Sequence, residues 1–191
     1  LAYVCQFHSS MAVTINVSDN TDEHYLYETI NNLVSGNEYV LSIYGKFYNR
    51  QWIALETNEG AQAWFDLQNG VTGSFTGSSV SITDAGSGWY RCALFFTGST
   101  DGARNQHIHL ANADGDYTYA GSADSGSYLW GAQFENGNLL GPYRKTEGSS
   151  FTTGSMLDQM KFNLKDTGSF TGTYAGGWNP GYGGNKPDGT S

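Results

Sequence analysis

Turn signals recur along this chain at an interval that suits strands and little else. Ser35-Gly36-Asn37, Asn58-Glu59-Gly60, Gln68-Asn69-Gly70, Asn112–Asp116 and Asn136-Gly137 all carry residues that accept positive φ or bond their own backbone. With the further turns at Tyr48-Asn49-Arg50, at the Gly/Ser residues before Trp89 and at Gly98–Asn105, successive turns recur roughly every eight to fifteen residues, which is the spacing of an all-β sandwich. Gln68-Asn69-Gly70 is a strong hairpin signal. Between the turns lie Glu38–Phe47, Gln51–Glu56, Ala63–Leu67, Val80–Thr83, Trp89–Thr97, His107–Leu110 and Tyr128–Glu135. In such strands every second side chain shares a face. Tyr39, Leu41 and Ile43 form one expected core set, and Tyr90, Cys92, Leu94 and Phe96 a second. Ile108 with Leu110 is a third, and Tyr128, Trp130, Ala132 and Phe134 a fourth. Tyr25–Leu33 lacks a polar face, so it reads as extended or irregular chain and not as a helix.

Composition supports the same class. The chain holds 13 Tyr, 10 Phe and 5 Trp, and 26 Gly against 3 Pro, while only 14% of residues are charged. Aromatic residues favour strands, and helix-favouring charged stretches are nearly absent. The 191 residues suffice for one full sandwich with pieces to spare. Residues 1–34 read as an N-terminal extended arm or first strands, 35–153 as the sandwich, and 154–191 as a linker with a partial second β element or assembly arm. The net charge of −9 repels phosphate backbones, which argues against a nucleic-acid partner. No stretch is long and apolar enough to insert in a membrane as a helix. The chain begins at Leu1, with no signal peptide in view, and is expected to be a piece of a longer polypeptide. Cys92 lies in an apolar strand and reads as a small buried residue; a bridge to Cys5 stays open. Asn16-Val17-Ser18 fits an N-glycosylation acceptor.

An ordered series of motifs resembles a known group of modules. It comprises Trp64-Phe65-Asp66-Leu67-Gln68-Asn69-Gly70, Gly88-Trp89-Tyr90-Arg91-Cys92 and Leu129-Trp130-Gly131-Ala132-Gln133-Phe134-Glu135-Asn136-Gly137, followed by Pro142-Tyr143 and Thr146. The series, over about 38–153, resembles the carbohydrate-binding-like jelly-roll modules of tailed-phage head fibres, spikes and tail fibres. Similar modules accompany catalytic domains in extracellular polysaccharide-degrading enzymes. Gly141-Pro142-Tyr143-Arg144-Lys145-Thr146 departs from the usual pattern at that corner. The resemblance implies a jelly-roll-like antiparallel β-sandwich with extended N- and C-terminal segments. It also implies a virion-surface or extracellular location.

The residues themselves show no catalytic constellation. No nucleophile elbow, phosphate loop, zinc-ligand cluster or EF-hand loop is present, so the chain is expected not to be an enzyme. Asp66 and Glu135 offer carboxylates that the sequence does not bring together, and Glu135 is expected to pair with Arg91 or to cap a turn. His107 and His109, two apart on a strand, point to one face, but sequence supplies no further metal ligand, and they read as an exposed polar face. Asp19, Asp22, Asp114 and Asp116 supply hard oxygens in turns and are candidates for a structural Ca2+, a feature the resemblance also implies. Exposed aromatics next to turns would stack on sugar rings. The candidates are Tyr48, Trp52, Tyr117 and Tyr119, with Arg50, Asn49, Asp114 and Asp116 as hydrogen-bonding partners. Trp64, Trp89 and Trp130 read as structural.

Three functions fit. The first is a non-enzymatic virion structural or decoration module that assembles with copies of itself or with other virion proteins and contacts host-surface glycans. The second is a carbohydrate-binding module of a secreted polysaccharide-degrading enzyme. The third is a subunit of an extracellular filament.

Overall fold

A computed structural model describes residues 21–121 and 125–144, together with the backbone of Val13 and Thr14. Cys5, the Asn16-Val17-Ser18 triplet, Asp19, Thr146 and the 154–191 segment lie outside the described residues. The chain forms β1 (Val13–Thr14), β2 (Thr21–Leu33), β3 (Glu38–Phe47), β4 (Trp52–Thr57), β5 (Gln62–Asp66) and β6 (Val71–Thr76). Then come β7 (Ser79–Gly86), β8 (Trp89–Thr97), β9 (Gly102–Ala111), β10 (Thr118–Ala120) and β11 (Ser127–Asn136). Among the described residues there is no helix, and none long and apolar enough to cross a membrane.

Two antiparallel sheets pack face to face, one of them curled into a half-barrel. One has the order β1-β11-β3-β8-β7 and the other β10-β2-β9-β4-β5-β6. The chain crosses repeatedly between the two sheets, with β4–β6 and β9–β10 in one and β7–β8 in the other, a jelly-roll-like arrangement. Residues 21–33, open in sequence between an arm and a first strand, form β2 in this sandwich. β2 is bonded along most of its length to β9, and its Ile30 and Leu33 enter the core.

Period-two patterning places that core. Tyr39, Leu41 and Ile43 of β3 meet Cys92, Leu94 and Phe96 of β8. Ile53 and Leu55 of β4, Phe65 of β5, and Ile108 and Leu110 of β9 face them from the second sheet. Each fully buried side chain of this size adds roughly 1.5–3 kcal/mol over its exposed state, so a one-residue slip in register would cost many such terms at once. Cys92 is fully buried, as expected, and burial pushes its thiol pKa well above the ordinary value.

The fourth core set is corrected. Tyr128, Trp130, Ala132 and Phe134 do not share one face, because the pairing of β11 with β3 shifts register between Trp130 and Gln133. Gly131 sits at the shift with φ of 65°, a left-handed conformation that glycine adopts without penalty. A Cβ there would also come within 3.1 Å of the Tyr44 and Tyr143 rings. The bulge changes the parity, so Leu129, Ala132 and Phe134 are buried, while Tyr128 and Trp130 point away from the core. Trp130 packs instead on Tyr44 and Tyr143, at ring-centroid distances of 5.0 and 4.5 Å. Glu135 does both things expected of it. It faces Arg91 at 3.9 Å and accepts a 3.0 Å hydrogen bond from the Gly141 amide.

Candidate functional site

The strands that bury Ile53, Phe65 and Leu110 on one side carry a different set of residues on the other. Strand register arranges these outer residues in rows. Tyr27 of β2 lies opposite His107 of β9, which lies opposite Glu56 of β4, which lies opposite Gln62 of β5. In the next row Tyr25, His109, Ala54 and Trp64 follow one another across the same four strands. Ala54 is the one small side chain in that row, and the ring of Tyr117 fills the space beside it. Tyr117 stacks on His109 at 4.3 Å and on Trp64 at 5.8 Å, with interplanar angles of 20° and 6°. Tyr25 continues the series, 5.2 Å from His109. Four aromatic rings thus run in a line across the sheet.

A turn holds Tyr117 in place. The Asn112 amide donates to the Asp116 carbonyl at 2.8 Å, and Ala113 and Asp116 form an antiparallel bridge. Asp114, at the tip, accepts hydrogen bonds from the Ser74 amide (2.7 Å) and hydroxyl (3.0 Å) on β6. Gly73 lets this happen, because a Cβ there would lie 2.3 Å from an Asp114 carboxylate oxygen and 2.8 Å from the Trp52 ring. The Tyr117 hydroxyl accepts from Gln62 Nε2 at 3.2 Å.

The line of rings is buried at one end and open at the other. His109 is fully buried and Trp64 nearly so, whereas Tyr25 is 44% and Tyr27 58% exposed. Beside the open end lie fixed polar groups. Glu56 Oε2 is 2.7 Å from His109 Nε2 and 3.9 Å from His107 Nδ1, and Gln62 Nε2 donates to Glu56 Oε1 at 3.3 Å. The hydrogen bond with His109 outweighs partial burial and holds the Glu56 carboxyl below its usual pKa. Burial lowers the His107 pKa more than the Glu56 charge raises it, which holds the imidazole below its ordinary pKa. Burial, with Glu56 and Glu23 nearby, raises the Tyr117 phenol.

Of the sugar contacts expected from sequence, Tyr117 and Trp52 belong to this face, both half-buried and packed against Ala54, Trp64 and Ala111. Tyr119 is corrected: at 6% exposure it is a core residue with no free ring face, and burial pushes its phenol up to about 12. Arg50 lies over the Tyr119 ring at 3.9 Å and donates to Ser125 Oγ. Tyr48 is 50% exposed but sits after β3 against Tyr128, away from the aromatic line. The expectation of an exposed polar face at His107 and His109 is also corrected, since His109 is enclosed by Tyr25, Tyr117 and Glu56.

The calcium candidates use their carboxylates locally. Asp22 accepts from the Glu23 amide, Asp114 from Ser74, and Asp116 from Asn112 Nδ2 and the Thr118 amide. Among the described residues these acids do not gather into a group of three, and the group that does gather is Glu56, His107 and His109. Tyr25, Tyr27, Glu56 and Gln62 were missed as site residues. Tyr25-x-Tyr27 and His107-x-His109 both carry same-face spacing in the sequence, but only the pairing register sets them side by side. No known protein-family profile matches the chain, and no curated protein matches it.

Proposed function

We propose that this chain is a non-enzymatic surface-recognition module that holds a glycan against the outer face of its six-stranded sheet. The observation that carries this reading is the pair of exposed rings, Tyr25 and Tyr27, flanked by the fixed polar row His107, Glu56 and Gln62. A sugar offers an apolar C–H face to an aromatic ring, and its hydroxyls need donors and acceptors that are already in place. This face supplies both, and the buried stack behind Tyr25 keeps it rigid, which lowers the entropic cost of binding. The setting is a virion fibre, spike or capsid surface of a phage, as the motif resemblance suggests, with host-surface glycans as ligand. The same face would serve a carbohydrate-binding module of a secreted polysaccharide-degrading enzyme.

Contacts with other copies of the chain or with other virion proteins have separate support. The edge strand β6 is exposed through most of its length, with Val71 and Phe75 about half accessible. Beyond Ser74, whose amide Asp114 caps, an exposed edge carrying such apolar side chains is a template for pairing with another chain.

Affinity electrophoresis in gels containing glucan, mannan, galactan, xylan or bacterial surface polysaccharide tests the recognition reading. At least one polysaccharide should retard the protein, and Tyr25→Ala with Tyr27→Ala should abolish the retardation. Free migration in every gel, or retardation that survives the double substitution, contradicts it.

A further inference from the structure

Glu56, His107 and His109 form a group whose geometry asks for a fourth participant. The antiparallel pairing of β4 with β9 sets Glu56 directly opposite His107 and one position diagonal to His109. One ligand atom from each of the three lies within 4.8 Å of the others. Donors bound to a single tetrahedral ion at ~2.0–2.1 Å stand roughly 3.3 Å apart. The 2.7 and 3.9 Å separations from Glu56 Oε2 bracket that figure.

A hydrogen-bonded Glu56–His109 pair would account for the shorter contact alone. It leaves His107 Nδ1 buried, 3.9 Å from the same carboxylate oxygen and so beyond hydrogen-bond reach, and without a hydrogen-bond partner. A buried polar nitrogen left without a hydrogen bond is costly. An ion between the three donors would satisfy it. We propose that Glu56, His107 and His109 are the ligands of a divalent transition-metal ion of the Zn2+ class.

The surroundings are those of a prepared site. Gln62 Nε2 holds the other carboxylate oxygen, Glu56 Oε1, and so turns Oε2 toward the imidazoles. Tyr117 stacks on His109 and Tyr25 contacts both imidazoles, which fixes the ring planes. Such outer groups orient metal ligands and set their affinity. Two imidazole nitrogens with one carboxylate oxygen select Zn2+, Co2+, Ni2+ or Cu2+, whereas Ca2+ and Mg2+ take oxygen sets. Three protein ligands leave a position open. The Glu56 and His107 side chains are 22% and 13% exposed, so that position is reached from the solvent side, next to Tyr25 and Tyr27. Water, or an oxygen of a ligand lying on those rings, would complete the shell.

The test titrates the chelator-treated full chain with Zn2+ by calorimetry and follows its melting temperature, with Ca2+ and Mg2+ in parallel. One Zn2+ per chain should bind and raise the melting temperature, and Ca2+ and Mg2+ should do neither. His107→Ala and Glu56→Gln should each weaken Zn2+ binding at least ~100-fold, beyond the ~10–100-fold typical of losing an orienting group. Proton NMR of the unsubstituted chain provides a readout that does not depend on how the variants fold. Zn2+ should move the His107 and His109 ring signals and leave those of His24 in place. No binding, or equal affinity in wild type and variants, or unmoved His107 and His109 signals, overturns the proposal. The outcome is separable from glycan recognition, because Tyr27→Ala strips an exposed ring from the sugar platform and leaves the three ligands with Gln62, Tyr25 and Tyr117 in place.

Discussion

The two faces of the six-stranded sheet are built by the same strands and differ in kind. Facing the core, Ile53, Leu55, Phe65, Ile108 and Leu110 are buried and apolar, and any of several similar side chains could fill their volume. Facing outward, the residues between them are Glu56, Gln62, Trp64, His107 and His109, held by specific hydrogen bonds and ring stacks. The inner face makes the sheet stable. The outer face spends burial on polar groups, two imidazoles and a carboxylate, that an apolar packing layer would not need. The recognition role proposed for the outer face rests on this contrast.

Substitutions on the two faces should therefore separate stability from recognition. The largest loss is expected from Phe65→Ala, which empties a fully buried site and should cost ~3–5 kcal/mol in urea unfolding. A loss below ~1 kcal/mol would mean that the inner face is not the packed layer described. Gly73→Ala should cost less, ~1–3 kcal/mol, because its methyl group must displace the Asp114 carboxylate or the Trp52 ring. It should also loosen the turn that carries Tyr117, seen as a change in tyrosine and tryptophan near-ultraviolet dichroism.

Acid should act through the hairpin carboxylate at the end of β5. Burial alone would raise the Asp66 pKa, but hydrogen bonds from Asn69, Gln51 and Gln68 outweigh it and hold it below the ordinary value. A carboxyl whose folded pKa is depressed adds stability above its unfolded pKa of about 3.9, and that stability is lost as pH falls further through the folded value. Melting temperatures measured from about pH 5 down to pH 2 should fall more steeply in the wild type than in Asp66→Asn. Parallel curves would remove Asp66 from the account. The smallest effect on stability belongs to Tyr27→Ala, which removes an exposed ring and should leave unfolding within ~0.5 kcal/mol of wild type.

Much of the inner face was legible in the sequence and little of the outer one. Turn residues and alternation marked the strands and named Leu41, Ile43, Leu94, Phe96, Ile108 and Leu110 as core, because those signals are local. The Gly131 bulge was not legible, since one glycine in a strand does not declare a change of parity, and Trp130 was assigned to the wrong side for that reason. The partnership of His107 and His109 with Glu56 depends on which residue of β4 meets which residue of β9. That register is fixed by contacts between strands some fifty residues apart, and no local pattern contains it. The preference for turn aromatics misplaced Tyr119, which is core, and passed over Tyr25 and Tyr27, which lie within a strand and point outward.

Retention of the Tyr25→Ala/Tyr27→Ala chain on polysaccharide gels, measured beside its melting temperature, tests the division of labour between the faces most directly. The account predicts that retention is lost while the melting temperature stays close to that of the wild type. Retention that persists in the double variant, or that falls only as the protein unfolds, would contradict it.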